Sequence, residues 1–289
     1  MKASTLLRCP LCRTVLRPDG NSLSCTNNHC FDRARQGYYH LLPAQKKRSR
    51  APGDSLQMVQ GRRSFLDLGH YQPIADEINK LALSATEKTD SDQDDQLHIL
   101  DCGCGEGYYT EKLSRALTDN STTRPETDII GLDISKDAVR LASQRSKQIS
   151  WIVASGADTP LPNNCLDLMT CLFTPLSPGE FHRLLKPKGA LVVASTGPDH
   201  LIELRELIYT EVIRNSFDPT RKLSEYFDLA EKTTVRHHFN LCNNHSIKEL
   251  LAMTPHQWRA PAEAREKLDH LEHLELSIDI QLSVFSPHP

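Results

Sequence analysis

From residue 97 onward the apolar and polar positions fall into a recurring order. A short apolar run at 98–101 ends in an acid, and Gly103, Gly105 and Gly107 follow at alternate positions. Residues 108–117 then carry the apolar spacing of an amphipathic helix. Strand, glycine turn and helix make the first unit of a doubly wound α/β domain. The order repeats: a strand at 129–133, a helix capped by Ser135 and running through Arg145, and a third strand at 151–154. A fourth, largely apolar strand at 166–173 leads to a short helix at 178–185, a turn at 186–189 and a fifth strand at 190–195. A helix is expected from Gly197 to about Asn215. Residues 232–241 and 274–285 alternate apolar with polar, as an antiparallel pair does, with a helix at 247–253 between them. The pattern predicts an α/β fold with a seven-stranded Rossmann-like sheet.

Ahead of that sheet, residues 62–83 read as helix, broken at 69–73, where Pro73 suits a new first turn. Asp54 or Ser55 is the expected cap of the first helix. Residues 84–96 are polar and acidic, the composition of a solvated loop. The expected organisation is a small module at 1–43, a basic linker with helices at 44–83, and the α/β domain at 84–289.

The glycine turn reads D-x-G-x-G-x-G from Asp101, not G-x-G-x-x-G, and no Lys-Ser or Lys-Thr pair follows, so it is not a P-loop. Glycines there let a ligand lie on bare backbone. An acid before the turn suits an amino-bearing ligand better than a pyrophosphate. Asp133, ending the second strand, stands where this fold binds a ribose diol. Two acids around a glycine turn fit S-adenosylmethionine, Asp101 near its amino group and Asp133 on its ribose; a nicotinamide domain or a turn without ligand are the alternatives. Asp158, after the third strand, lies where the adenine would be held.

Cys9-Pro-Leu-Cys12 is followed by Cys25 and, four residues later, His29, with Cys30 beside it. Two such pairs joined by a short hairpin can close a tetrahedral zinc shell, which is the structural kind of site. A redox C-x-x-C is the competing reading. A segment this small lacks a core, so the metal would stabilise its fold.

Composition narrows the class. With 38% hydrophobic and 25% charged residues in 289, the chain is ordinary for a soluble protein. It has no apolar run long enough to span a membrane and no signal-peptide core, so a cytoplasmic location is expected. Nine cysteines, an odd number, point to thiols and metal rather than a disulfide framework. The net charge of −3 hides an asymmetry: residues 1–63 hold twelve Lys and Arg against three Asp. Lys46, Lys47, Arg48 and Arg50, then Arg62 and Arg63, are candidate contacts to RNA phosphates.

These motifs together resemble one family, the bacterial 23S rRNA (guanine-N1)-methyltransferases called RlmA, over nearly the whole chain. The likeness rests on C-P-L-C with C-x-x-x-H, G-Y-x-x-L-L-P at 37–43, K-R-S-R-x-P-G-D-S at 47–55 and F-L-D-x-G-H-Y-Q-P at 65–73. It continues with C-G-E-G-Y-Y-T at 104–110, G-L-D-x-S-K at 131–136, T-G-P-x-H-L at 196–201 and a C-terminal M-T-P. The resemblance implies zinc on Cys9, Cys12, Cys25 and His29, Cys30 being a non-ligand position in the family. It implies donor contacts from Tyr71, Gly105, Glu106 and His200, with Asp133 as the ribose acid. It also implies S-adenosylmethionine-dependent methylation of guanine N1 in a 23S rRNA hairpin by a homodimer with a positively charged cleft. Departures from the family fall at 173–176 and 87–96. Asp158 and His200 are positional candidates for the proton acceptor, and Phe173 for stacking on the base. A small-molecule methyltransferase with an accessory zinc module and a non-catalytic RNA-binding protein are the competing readings.

Overall fold

The computed structural model describes residues 3–46, 49, 52–87, 96–119, 126–254 and 256–289. The N-terminal part is a ribbon. Strands β1 (Arg17–Asp19) and β2 (Ser22–Ser24) form a hairpin turning at Gly20, whose φ of +60° favours glycine, and β2 pairs antiparallel with β3 (Cys30–Asp32). Then β4 (Tyr39–His40) leaves the ribbon and two helices follow, α1 (Leu56–Asp67) and α2 (Gln72–Glu87). Ser55 caps α1 by accepting the Met58 N–H, and Pro73 sits in the first turn of α2.

The α/β body runs β5 (Gln96–Cys102), α3 (Tyr108–Asp119), β6 (Glu126–Asp133), α4 (Lys136–Arg145), β7 (Ser150–Val153), β8 (Leu166–Leu172), α5 (Pro178–Leu184) and β9 (Leu185–Thr196). It continues with α6 (Ile202–Ile208), α7 (Pro219–Leu223), β10 (Phe227–Leu241), α8 (Asn244–Met253), α9 (His256–Arg259), α10 (Ala262–Asp269) and β11 (Leu274–Pro287). The strand order is β10-β11-β9-β8-β5-β6-β7-β4, parallel from β9 to β4 and antiparallel at β11 and β10. Seven of these strands are the expected Rossmann-like set. The eighth, β4, is the ribbon's own strand added parallel to β7.

Every residue of β8 is buried, as a central parallel strand with both faces covered requires. One face is covered by α2, α3 and α4, with Ile74, Ile78, Leu113 and Trp151 in one core. The other face is covered partly by the ribbon: Leu7, Leu16, Leu23 and Leu41 share a core with Leu100, Ile152 and Met169. Backbone bonds stitch the two together, Arg8 N–H to the Pro160 carbonyl at 2.8 Å and Leu41 N–H to that of Val153 at 2.9 Å. Gly61 lets α1 approach α8 closely, since a Cβ there would stand 3.0 Å from that of Ala252.

Three local expectations are corrected. The helix expected at 197–215 spans only Ile202–Ile208. Leu201 is left-handed at φ 51°, Tyr209 is extended, and the Arg205 guanidinium binds the Ile213 carbonyl at 2.6 Å, folding the chain back. The turn expected at 186–189 is taken into β9 as an irregularity, with Leu166 opposite Leu185 but Leu168 opposite Ala190. The loop expected at 84–96 is also shorter, since residues 84–87 are the last turn of α2 and Gln96 opens β5; 88–95 lie outside the described residues.

Candidate donor and metal sites

At the carboxyl end of β5 the chain makes three left-handed glycines, Gly103 (φ 80°), Gly105 (φ 56°) and Gly107 (φ 89°). Gly103 and Cys104 both donate N–H to the Leu132 carbonyl, at 2.8 and 2.9 Å, tying the turn to β6. A Cβ on Gly103 would strike Thr174 at 2.6–2.8 Å, and one on Gly107 would strike Trp151 at 2.8 Å. Gly105 differs: a Cβ there would meet only the Arg62 guanidinium, at 3.8 Å. Its bare backbone faces a cavity of about 770 Å³, within the range of small-molecule sites. The strand order reverses between β5 and β8, and ligands of doubly wound sheets bind beside such a point.

Asp133 accepts the Gly105 N–H at 2.9 Å through one oxygen and the Ser135 N–H at 2.7 Å through the other. Each oxygen keeps a lone pair, so the carboxylate can still receive a diol. Asp101 is 2% exposed and accepts hydroxyl bonds from Thr110 and, at 2.7 Å, Thr170. Burial pushes its carboxyl up to about 6. Glu106 is 1% exposed and reaches the Arg145 guanidinium at 2.5 Å, which also holds Asp67 at 2.9 Å. Its carboxylate faces the cavity wall already paired.

Tyr71 and His200 meet at 3.2 Å, phenol oxygen to Nε2. The Asp279 N–H points at Nδ1, 3.4 Å away, which makes that nitrogen the acceptor and leaves the ring proton on Nε2, facing Tyr71. Burial pushes the ring down to about 4, so it is neutral at pH 7. Phe173, directly after β8, is left-handed at φ 57° and stands 42% exposed at the cavity mouth, 6.0 Å from the Tyr109 ring. A bulky residue at positive φ is strained, and such residues gather at ligand sites.

The cavity thus gathers Tyr71, Asp101, Gly103, Gly105, Glu106, Asp133 and His200, whereas Gly107 packs under the turn against Trp151 and Ala142 and does not line it. It does not gather Asp158, which lies in an ion-paired cluster with Arg13 and Lys46 of the ribbon segment. Arg13 also donates to the Thr159 carbonyl at 2.9 Å. Nor are the described basic residues arrayed outward. Lys46 is held by Asp158, and Arg63 donates to the Leu141 carbonyl at 3.2 Å. Arg62 lines the cavity, bound to Asp54 at 2.6 Å. Lys47, Arg48 and Arg50 lie outside the described residues. Sequence reasoning missed Asp54, Thr110, Thr170 and Arg205 as parts of this site; the P-G-D-S and C-G-E-G-Y-Y-T runs held Asp54 and Thr110 only as members of motifs.

In the ribbon, the ligand atoms of Cys9, Cys12, Cys25 and His29 all lie within 4.8 Å of one another. Cys12 and Cys25 sulfurs are 3.7 Å apart, and His29 Nδ1 is 3.5 Å from Cys9 and 3.4 Å from Cys25. Zinc bonds of about 2.3 Å to sulfur and 2.0 Å to nitrogen, at tetrahedral angles, require edges of about 3.5–3.8 Å. The residues fit zinc, with His29 as the fourth ligand; Cys30 is exposed on β3 and outside the group. The Thr14 hydroxyl and amide help pull the Cys12 thiol down to about 5, toward the thiolate that zinc takes.

Fold and site define an S-adenosylmethionine-dependent methyltransferase carrying a structural zinc ribbon. A family model described as the RlmA N-terminal zinc ribbon matches residues 7–50, and one described as a methyltransferase domain matches 99–189. The Streptomyces fradiae 23S rRNA (guanine(748)-N(1))-methyltransferase is 30% identical over 288 residues, 98% of this chain and 97% of its own. Bacillus subtilis YxjB is also 30% identical, over 97% of this chain and 96% of its own. The chain belongs to the RlmA family of 23S rRNA (guanine-N1)-methyltransferases. A solved loganic acid methyltransferase holding SAH shares the fold, with a TM-score of 0.50 at 11% identity, covering 83% of this chain and 98% of the other.

Proposed function

We propose that the protein methylates N1 of a specific guanine in a 23S rRNA hairpin, acting as a cytoplasmic homodimer. The observation that carries this reading is the docking of the zinc ribbon, through Arg13 and Lys46 on Asp158, beside the carboxyl end of the parallel strands. An RNA-gripping module and a donor crevice then sit at one end of one sheet. Lys47, Arg48 and Arg50 would meet RNA phosphates, Lys46 being paired with Asp158.

The donor supplies an activated methyl group, so the chain's work is positioning. Gly105 offers bare backbone, Asp133 the ribose acceptor and Asp101 a buried acid. His200, neutral and fixed by Asp279, orients the Tyr71 phenol toward the donor. Phe173, exposed at the mouth, offers a ring for an unstacked guanine. Asp158 serves to anchor the ribbon rather than to accept the N1 proton.

The test is methyl transfer from labelled S-adenosylmethionine to 23S rRNA of a strain lacking the gene, with the nucleotide mapped by primer extension. A single stop at one guanine is expected. Absence of incorporation by protein that binds the donor would overturn the reading.

A further inference from the structure

The donor cavity holds two permanent cations among its lining residues, Arg62 and Arg205. Arg205 is committed to main chain, donating to the carbonyls of Pro198 at 2.7 Å and Ile213 at 2.6 Å. The two lining histidines, His200 and His256, are held neutral by burial. Arg62 remains. It stands over Gly105, the glycine whose open face receives the ligand, and its guanidinium is held by a carboxylate, that of Asp54, at 2.6 Å. Asp54 is itself fixed by main chain: its carbonyl accepts the Ser135 hydroxyl at 2.8 Å, and Gly53 packs on Ser135. About a third of the Asp54 side chain is exposed, so the pair borders solvent and can exchange partners. A planar guanidinium fork matches a carboxylate two-to-two.

We infer that Arg62 is the carboxylate anchor of the donor: its guanidinium binds the α-carboxylate of the methionine half, and Asp54 occupies that place until the donor enters. This rests on the donor reading of the cavity. It moves Arg62 from the RNA-contact group, where the sequence pattern put it, to the cofactor site.

Calorimetry with three ligands tests it: S-adenosylhomocysteine, its decarboxylated analogue, and 5′-methylthioadenosine, which lacks the whole amino-acid end. The wild type should bind S-adenosylhomocysteine about 10–100-fold tighter than the decarboxylated analogue, as for one charge-assisted pair. Arg62→Gln should lose most of that advantage while its affinity for methylthioadenosine stays within about threefold of wild type. Arg62→Lys, which keeps charge without the fork, should fall between. Unchanged S-adenosylhomocysteine affinity in Arg62→Gln would overturn the inference. So would equal loss for all three ligands, the mark of a collapsed wall. Should the variants not fold, the wild-type comparison decides alone, and no discrimination there refutes the anchor. A wild type that binds none of the three would remove the donor reading itself.

Discussion

Asp101 is the residue whose replacement most directly tests how the strand end is built. It sits at the end of β5, 2% exposed, between the hydroxyls of Thr110 and Thr170. Burial raises its carboxyl from 3.8 to about 6; the two hydroxyl bonds pull it down and Asp133 pushes it up. A folded pKa above the unfolded one means the folded chain holds the proton more tightly. The stability this contributes is complete below about pH 4 and is lost as pH rises through 6. At about 1.4 kcal/mol per pH unit, the loss comes to about 3 kcal/mol. Asn has the shape of the neutral acid, and a Thr hydroxyl can turn to accept from its amide. Asp101→Asn should therefore gain about 3 kcal/mol on the wild type between pH 4 and pH 7, while binding the donor more weakly. Urea unfolding of both proteins at several pH values gives the difference curve. A flat difference, or one falling with pH, would refute the account of a carboxyl strained by burial.

Three further outcomes follow from the geometry. Cys12→Ser should drop zinc below one equivalent by metal analysis and lower the melting temperature of the whole chain. The ribbon's Leu7, Leu16, Leu23 and Leu41 share a core with the sheet, so an unchanged melt would mean the ribbon folds separately. His200→Gln should flatten acid destabilisation: a ring held at about 4 against an ordinary 6.5 contributes stability above pH 6.5 that is lost as pH falls to 4. The expected loss in the wild type alone is about 2–3 kcal/mol, trimmed because the ring borders the cavity; parallel acid titrations of the two proteins would contradict it. Gly107→Ala should cost about 2–4 kcal/mol, combining a left-handed alanine with overlap on Trp151 and Ala142. Denaturant midpoints would show it, and a loss under about 1 kcal/mol would mean that the helix moves freely.

Local patterns carried much of this protein. Alternation and apolar runs marked the strands from β5 to β11, Ser135 its cap, and the spacing of Cys9, Cys12 and Cys25 the metal cluster, because each depends on neighbours in sequence, while the choice of His29 over the adjacent Cys30 came from the family resemblance and the fold. The glycines at 103, 105 and 107 were legible for the same reason: a turn at positive φ admits few other residues. Helix ends were less so. The segment after Gly197 has helical composition, yet Arg205 closes on the Ile213 carbonyl and ends the helix early.

Long-range pairings were invisible until the chain was folded. Asp158 and Arg62 have the sequence context of a cofactor ligand and a phosphate contact, and the fold exchanges those surroundings: Asp158 meets Arg13, 145 residues away, and Arg62 turns inward over Gly105. A charged side chain's role depends on the dielectric and the partner it meets, and both come from distant parts of the chain. Glycine turns, caps and metal spacings are encoded within a few residues and so can be read directly. Whether an arginine greets RNA or the methyl donor is settled by the packing of α1 against α8 and of the ribbon against the sheet.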